Sequence, residues 1–347
     1  MLITGWYGTE TVGDKAILGE LLHQYASERP DCRILVTSLY PFITRRTLRE
    51  LGSDAEVIPL YSWSCLKTAA AARIVCVGGG PLMELELLAV PLWLLSAARA
   101  NGGQTVLHGC GIGPLLSAKR TDAVRKILAL SDRILLRDRA GAAWARELSG
   151  RDDVACVGDP AERYLRRTYP KTQQDDKRPV LACFLREPTE EYRGTMTCEE
   201  FRLFRESFEA GLAENIKALA RREQLDIRFY SMHNFCVGGD DRDFAFRFAQ
   251  KHFEPGSYWV DNQLTGIEPV VQAMNRARIC LCMRFHSVLF ADTLEAEYLA
   301  IDYTGGGKIH GYLKDHDQLR RLVGMRDLLR GENVLLDAAR EAGICKP

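Results

Sequence analysis

Four side chains able to handle anions or protons fall at the same kind of place in this chain. In the segment CLCMRFHSVLF, Arg284 and His286 close the apolar run 279–283 and open a helical stretch. Arg137 ends RILLRD, and Lys308 follows LAIDYTGGGK. Each lies just past a predicted β-strand. A guanidinium offers a planar fork to a carboxylate or phosphate, a lysine offers a compact charge, and an imidazole changes charge near neutrality. Together they suit a small dianion with an acid/base group beside it. Singly, each has a plainer reading: a surface salt bridge for an arginine, a satisfied core position for the histidine.

Three glycine-rich turns share the same placement in the first half: GWYGTETVGD, VGGGPLME and HGCGIGPL. They put Gly8, Gly13, Gly78, Gly79, Gly80, Gly111 and Gly113 where a strand hands over to a helix. There, backbone N–H groups can approach a ligand and a helix N-terminus favours an anion. One such turn has a sufficient steric explanation, whereas three on one sheet edge indicate a ligand cleft. No GK[ST] follows any of them, and GxGxxG with a downstream acid is absent, which disfavours a P-loop or a nicotinamide site. Asp14 ends the first turn. It reads equally as a helix N-cap and as a general base or hydrogen-bond partner for a sugar hydroxyl.

These groups need a scaffold, and the sequence alternates in the manner of βαβ units. Strands are predicted at 2–4, 33–37, 56–59, 74–77, 105–108, 134–136 and 154–157, then at 180–184, 227–231, 258–260, 279–283 and 298–301. Helices are expected between them, including 14–29, 199–222, 241–253, 267–276 and 285–296. The polar stretch RRTYPKTQQDDKR separates the two sets. The expected architecture is α/β: two Rossmann-like domains with parallel sheets facing a cleft, at 1–165 and 179–347, joined by a linker at 166–178. Ligands in such sheets bind beyond the carboxyl ends of the strands.

Composition narrows the function classes. The chain has 347 residues, with Lys+Arg and Asp+Glu both at 46. A zero net charge argues against a nucleic-acid surface. Eleven cysteines without a CxxC pair fit reduced thiols in a cytoplasm better than disulfides or a zinc site. The N-terminus lacks the features of a signal peptide. The apolar run 87–95 contains Pro91 and is far short of the ~20 residues a bilayer requires, so a buried helix is expected there. The segments 61–72 and 87–93 also admit a membrane-surface reading, with a core helix favoured. Asp240 and Asp241 read as a solvated helix start rather than a metal site, and no metal is expected.

In order along the chain, GWYGTETVGDKAIL, VGGGPLME, GCGIGPL, LLRDRAG, VGDPA, CMRFHSVLFA and IDYTGGGK resemble the blocks of the polysaccharide pyruvyltransferase family. The resemblance spans Gly5 to Lys308. It implies two Rossmann-type domains in a glycosyltransferase-B-like arrangement. It implies transfer of a pyruvyl group from phosphoenolpyruvate, the donor substrate, to two hydroxyls of one sugar. The product is a cyclic ketal on a cell-surface or exopolysaccharide unit, phosphate is released, and no cofactor is needed. It also implies that Arg137, Arg284 and Lys308 hold the donor's anionic groups, that His286 is the acid/base group, and that Asp14 lies beside the acceptor. Two positions depart from the family pattern. Thr11 and Val12 replace the asparagine usual before Gly-Asp, and the TGGG at 304–307 stands where Asp-Pro is usual, which leaves open the reach of Lys308. The implied setting is cytoplasmic, with contact at the inner face of the membrane left open. Lipid-linked and polymeric acceptors are also both open. Two other readings stand beside this one: a nucleotide-sugar glycosyltransferase of the same outline, and a non-catalytic ligand-binding protein of a polysaccharide assembly system.

Overall fold

The computed structural model describes residues 1–84, 86–170, 178–190, 193–235, 239–264 and 266–346. Its contacts divide the chain into two units, Met1–Arg167 and Thr168–Pro347. Each is built on one parallel sheet with helical crossovers, the α/β class expected.

In unit 1 the strands are β1 (Leu2–Thr4), β2 (Leu35–Ser38), β3 (Glu56–Pro59), β4 (Ile74–Gly78), β5 (Pro81–Leu82), β6 (Gln104–Ile112), β7 (Arg133–Leu136) and β8 (Ala155–Cys156). Their order is β3-β2-β1-β4-β6-β7-β8, with β5 pairing to β6. The pairing is parallel throughout, with Leu2 opposite both Leu35 and Val75. Helices α1 (Val12–Glu28), α2 (Pro41–Glu50), α3 (Trp63–Ala71), α4 (Ala89–Ala100), α5 (Ala118–Leu130), α6 (Arg139–Ser149) and α7 (Pro160–Thr168) form the crossovers. The β4 residues are buried without exception, as a strand covered on both faces requires. Ile17, Leu18, Leu21, Leu22 and Tyr25 of α1 supply part of the cover.

Unit 2 runs β9 (Arg178–Phe184), α8 (Cys198–Glu223), β10 (Asp226–Phe229), α9 (Asp241–His252), β11 (Tyr258–Val260), α10 (Ile267–Arg276), β12 (Ala277–Cys282), α11 (Phe285–Thr293), β13 (Tyr298–Asp302), α12 (Lys308–Asp315), β14 (Leu322–Gly324) and α13 (Val334–Glu341). The strand order is β11-β10-β9-β12-β13-β14. A capping box between Thr197 and Glu200 starts the long α8. Part of the core is an aromatic cluster in which Phe229 meets Phe248 at 6.0 Å and Phe253 at 5.7 Å. In both sheets the strand order reverses at one point: between β1 and β4 in unit 1, between β9 and β12 in unit 2. Ligands of doubly wound sheets bind beside such points.

Several expectations need correction. Helix α7 carries the first three residues of the expected 166–178 linker, and β9 takes the last; residues 171–177 lie outside the described residues. Of the polar residues there, Arg166, Arg167 and Thr168 belong to that helix. Tyr164 and Leu165 are buried, and Arg167 lies over the Tyr164 ring and reaches Glu20. The run 87–95 is only half core: Leu94 and Leu95 are buried, but Trp93 is 60% exposed. Pro91 falls in the first turn of α4, where its missing N–H costs nothing. Among the described residues, no helix is long and apolar enough to cross a membrane.

Candidate active site

In unit 1 the first turn is tied to the end of β4, because Tyr7 Oη donates to the Gly78 carbonyl at 2.7 Å. Burial, then the nearby Cys76 and Asp14, hold the Tyr7 phenol well above its ordinary range. Glu10 follows in a left-handed conformation (φ 48°) that a non-glycine residue seldom adopts. It is buried, and ion-paired with Lys15 and, at 3.0 Å, with Arg46. These pairs hold the strained turn in place. Helix α1 starts at Val12 with Thr11 as its N-cap, so Asp14 is not the cap. It is the third helical residue, where the N-terminal dipole favours a carboxylate. Asp14 lines a small surface recess with Trp6, Glu10, Thr11, Lys15 and Thr44.

The glycines of the three turns are mostly hemmed in by protein. A Cβ on Gly8 would lie 2.6 Å from Ser38 Oγ, on Gly79 2.6 Å from Ile17, on Gly78 2.9 Å from Tyr7 Oη, and on Gly113 2.6 Å from the Trp144 ring. Gly111 faces the Arg137 guanidinium, with Nε 3.0 Å from where its Cβ would sit. Gly13 is buried in the first turn of α1. Gly80 has room, its nearest such neighbour being Trp6 Cβ at 3.7 Å. The turns therefore serve close packing of backbone at the sheet edge, with Gly80 the exception. Arg137, just past β7, is itself buried, with Nη1 3.4 Å from Asp159 and Nε 3.7 Å from Asp138.

Unit 2 places its groups differently. Arg284 is the N-cap of α11, and its Nε and Nη2 grip the Asp241 carboxylate at 2.6–2.9 Å. Asp241 is 2% exposed and also accepts from the Met232 and His233 backbone N–H groups at 3.1 and 3.0 Å. It is no solvated helix start. That description fits its neighbour Asp240, the N-cap of α9. His286, half-buried in the first turn of α11, meets the Phe285 ring edge-on at 5.2 Å. The Lys308 ammonium lies 5.8 Å from that same ring. The 304–307 turn that leads to Lys308 is wound around Asp302, whose carboxylate accepts from the Thr304 and Gly306 N–H groups at 2.8 and 2.7 Å.

At the centre is Tyr303, buried just past β13. Arg186, two residues past β9, lays its guanidinium 4.4 Å from the Tyr303 ring centroid. Burial alone would raise the Tyr303 phenol. Lys308, Arg186 and Arg284 outweigh it and hold the phenol below its ordinary value. Three cations from the ends of three adjacent strands thus act on one point.

So the structure brings Arg284, His286 and Lys308 together in unit 2, Asp14 beside Glu10 in unit 1, and Arg137 against Gly111. Sequence reasoning missed Arg186, Tyr303, Glu10 and the brace Asp241. Arg186 carried a findable signal, since it ends VLACFLR as Arg284 ends ICLCMR. Tyr303 carried none.

No curated protein matches the chain. Solved structures share its fold at low identity. A Listeria monocytogenes protein described as a UDP-N-acetylglucosamine 2-epimerase matches at TM-score 0.65 and 12% identity, covering 99% of this chain and 90% of that one. The UDP-GlcNAc 2-epimerase of Neisseria meningitidis bound to UDP-GlcNAc matches at 0.60 and 12%, covering 100% and 95%. Anabaena HepE in complex with UDP-glucose matches at 0.53 and 11%, covering 99% and 95%. These likenesses establish the fold, two parallel-sheet units of glycosyltransferase-B type. The family model described as polysaccharide pyruvyl transferase matches residues 12–305, most of both units, and the chain belongs to that family.

Proposed function

We propose that the protein transfers a pyruvyl group from phosphoenolpyruvate to two hydroxyls of a sugar and releases phosphate. What supports this is the convergence of Arg186, Arg284 and Lys308 on Tyr303, with His286 sharing the Phe285 ring with Lys308. A compact donor carrying a phosphate and a carboxylate matches a compact set of cations.

In this reading His286 gives a proton to the donor's methylene carbon, which leaves the adjacent carbon oxocarbenium-like. One sugar hydroxyl bonds to that carbon and loses its proton. The carbon–oxygen bond to phosphate breaks, and phosphate leaves with one proton. The second hydroxyl then bonds to the same carbon, loses its proton, and closes the ketal. The cations stabilise charge on the departing phosphate. Asp14 is assigned to the acceptor, as hydrogen-bond partner or base for a hydroxyl, and Arg137 to the donor's charge.

A coupled phosphate-release assay with phosphoenolpyruvate and a panel of free and lipid-linked sugars tests the reaction. Binding is tested by thermal stability, since a ligand at 100 times its dissociation constant adds about 2.7 kcal/mol. Stabilisation by phosphoenolpyruvate is expected. Stabilisation by UDP-, GDP- or CMP-sugars alone would replace this reading with a glycosyltransferase, and no shift with any of them would favour a non-catalytic role.

A further inference from the structure

The large hydrophobic side chains that unit 1 exposes among the described residues all lie on one edge of its sheet. Tyr40 and Phe42 follow β2, Tyr61 and Trp63 follow β3, Trp93 is in the second turn of α4 after β4, and Leu116 follows β6. Because every strand pair is parallel, all six emerge at the carboxyl-terminal edge. The amino-terminal edge carries ion pairs instead: Arg33–Glu56, Arg99–Asp132 and Arg151–Asp153. An even scatter of surface hydrophobics needs no explanation, but a one-sided set marks a contact surface.

Helices α3, α4 and α5 pack side by side in that order, so Trp63, Trp93 and Leu116 form a row across three helix starts. They are 79%, 60% and 86% exposed, too open to be the lining of a pocket. Two lysines without an acidic partner among the described residues stand beside this row. Glu84 accepts from the Ser117 hydroxyl and the Leu116 N–H, and the exposed Glu86 lies 3.6 Å from Arg120. Lys67, one turn after Trp63, and Lys119, just past Leu116, are exposed and form no ion pair among the described residues. Indole and phenol rings beside lysines are the composition that settles at a lipid–water boundary, with the cations drawn to anionic headgroups.

We propose that this row docks unit 1 on an anionic lipid bilayer, with Trp63, Trp93 and Leu116 entering the headgroup region and Lys67 and Lys119 contacting acidic headgroups. It lies on the same sheet edge as Asp14, so a docked unit would present that edge to the membrane. The docking does not depend on the pyruvyl-transfer reading.

The test is cosedimentation of the full chain with phosphatidylcholine vesicles made with and without phosphatidylglycerol, beside sedimentation velocity without lipid. The wild type is expected to bind the phosphatidylglycerol vesicles and remain unassociated in their absence. Trp63→Ser with Trp93→Ser should weaken vesicle binding roughly tenfold or more, and Lys67→Glu with Lys119→Glu should remove the preference for phosphatidylglycerol. All four positions are exposed, so melting temperatures should be unchanged; if the tryptophan variant melts early, the lysine variant decides. Absence of wild-type binding, equal binding to both vesicles, or binding unaltered by the lysine changes would each overturn the proposal. So would a lipid-free dimer that the tryptophan changes dissolve, which would make the partner a second copy of the chain.

Discussion

Both sheets carry a histidine and a set of cations near their carboxyl-terminal ends, and they use them in opposite ways. In unit 1, His108 of β6 is buried between the Tyr25 hydroxyl at 3.1 Å and Arg163 at 3.3 Å. Burial first, then Arg163 and Arg133, push it down to about 4. The cations of this unit have acidic partners: Lys15 and Arg46 on Glu10, Arg137 on Asp159. In unit 2, His286 sits half-buried at a helix start, and Arg186, Arg284 and Lys308 act together on the Tyr303 phenol, Arg284 while also paired with Asp241. The lesson is that a charged residue at a strand end is not evidence of a ligand site until its counter-charge has been found. In unit 1 these groups hold the turns together, whereas in unit 2 Arg284 is braced by Asp241 and still, with Lys308 and Arg186, holds the Tyr303 phenol below its ordinary value.

The sharpest way to break this contrast is to remove the two histidines. If His286 is the proton donor, His286→Ala should lower phosphate release by about 10²–10⁴-fold while the chain melts as before. A loss below tenfold would return His286 to a structural role. Next in size is Arg284→Ala. It leaves the Asp241 carboxylate buried without its guanidinium, a change of the kind that costs about 3–5 kcal/mol. The backbone N–H groups of Met232 and His233 soften the loss, so the lower end is expected in urea unfolding. Arg284 therefore cannot be tested for donor binding by truncation alone, whereas Arg186→Lys, which keeps the charge, can. The smallest effect concerns His108. Its folded-state pKa lies below the ordinary 6.5, so the unfolded chain binds the extra proton, and stability falls as pH drops from about 6.5 towards 4. The full loss is about 3 kcal/mol. Melting between pH 7.5 and 4.5 should show this decline, and His108→Gln should flatten it. An unchanged slope would mean that His108 is not the buried neutral base described above.

The sheets were legible because parallel strands covered on both faces are short, β-branched and apolar, as 74–77 and 180–184 are. The family blocks were legible for a related reason, since they fall at strand ends where glycines and cations stand out from apolar runs. Two strands escaped. The two residues of β5 include a proline, and β14 has three residues, so neither can show a period. The side-chain partners escaped for a different reason. Asp240 and Asp241 are adjacent identical letters, yet one caps a helix in partial contact with solvent and the other is buried under an arginine 43 positions away in sequence. Glu10 looked like a polar letter in a glycine turn, though Arg46 and Lys15 hold it inside. Spacing within a segment can reveal a turn, but it cannot reveal which distant charge will close over it.

The tie between Asp241 and Arg284 has one more consequence. It engages the guanidinium through two nitrogens while the carboxylate is itself fixed by the main chain at the end of β10. The arginine's rotamers are thus selected when the unit folds. Immobilising such a side chain on association ordinarily costs ~0.5–1.5 kcal/mol, so under the proposed function an incoming anion would meet a receptor whose orientational entropy has already been surrendered.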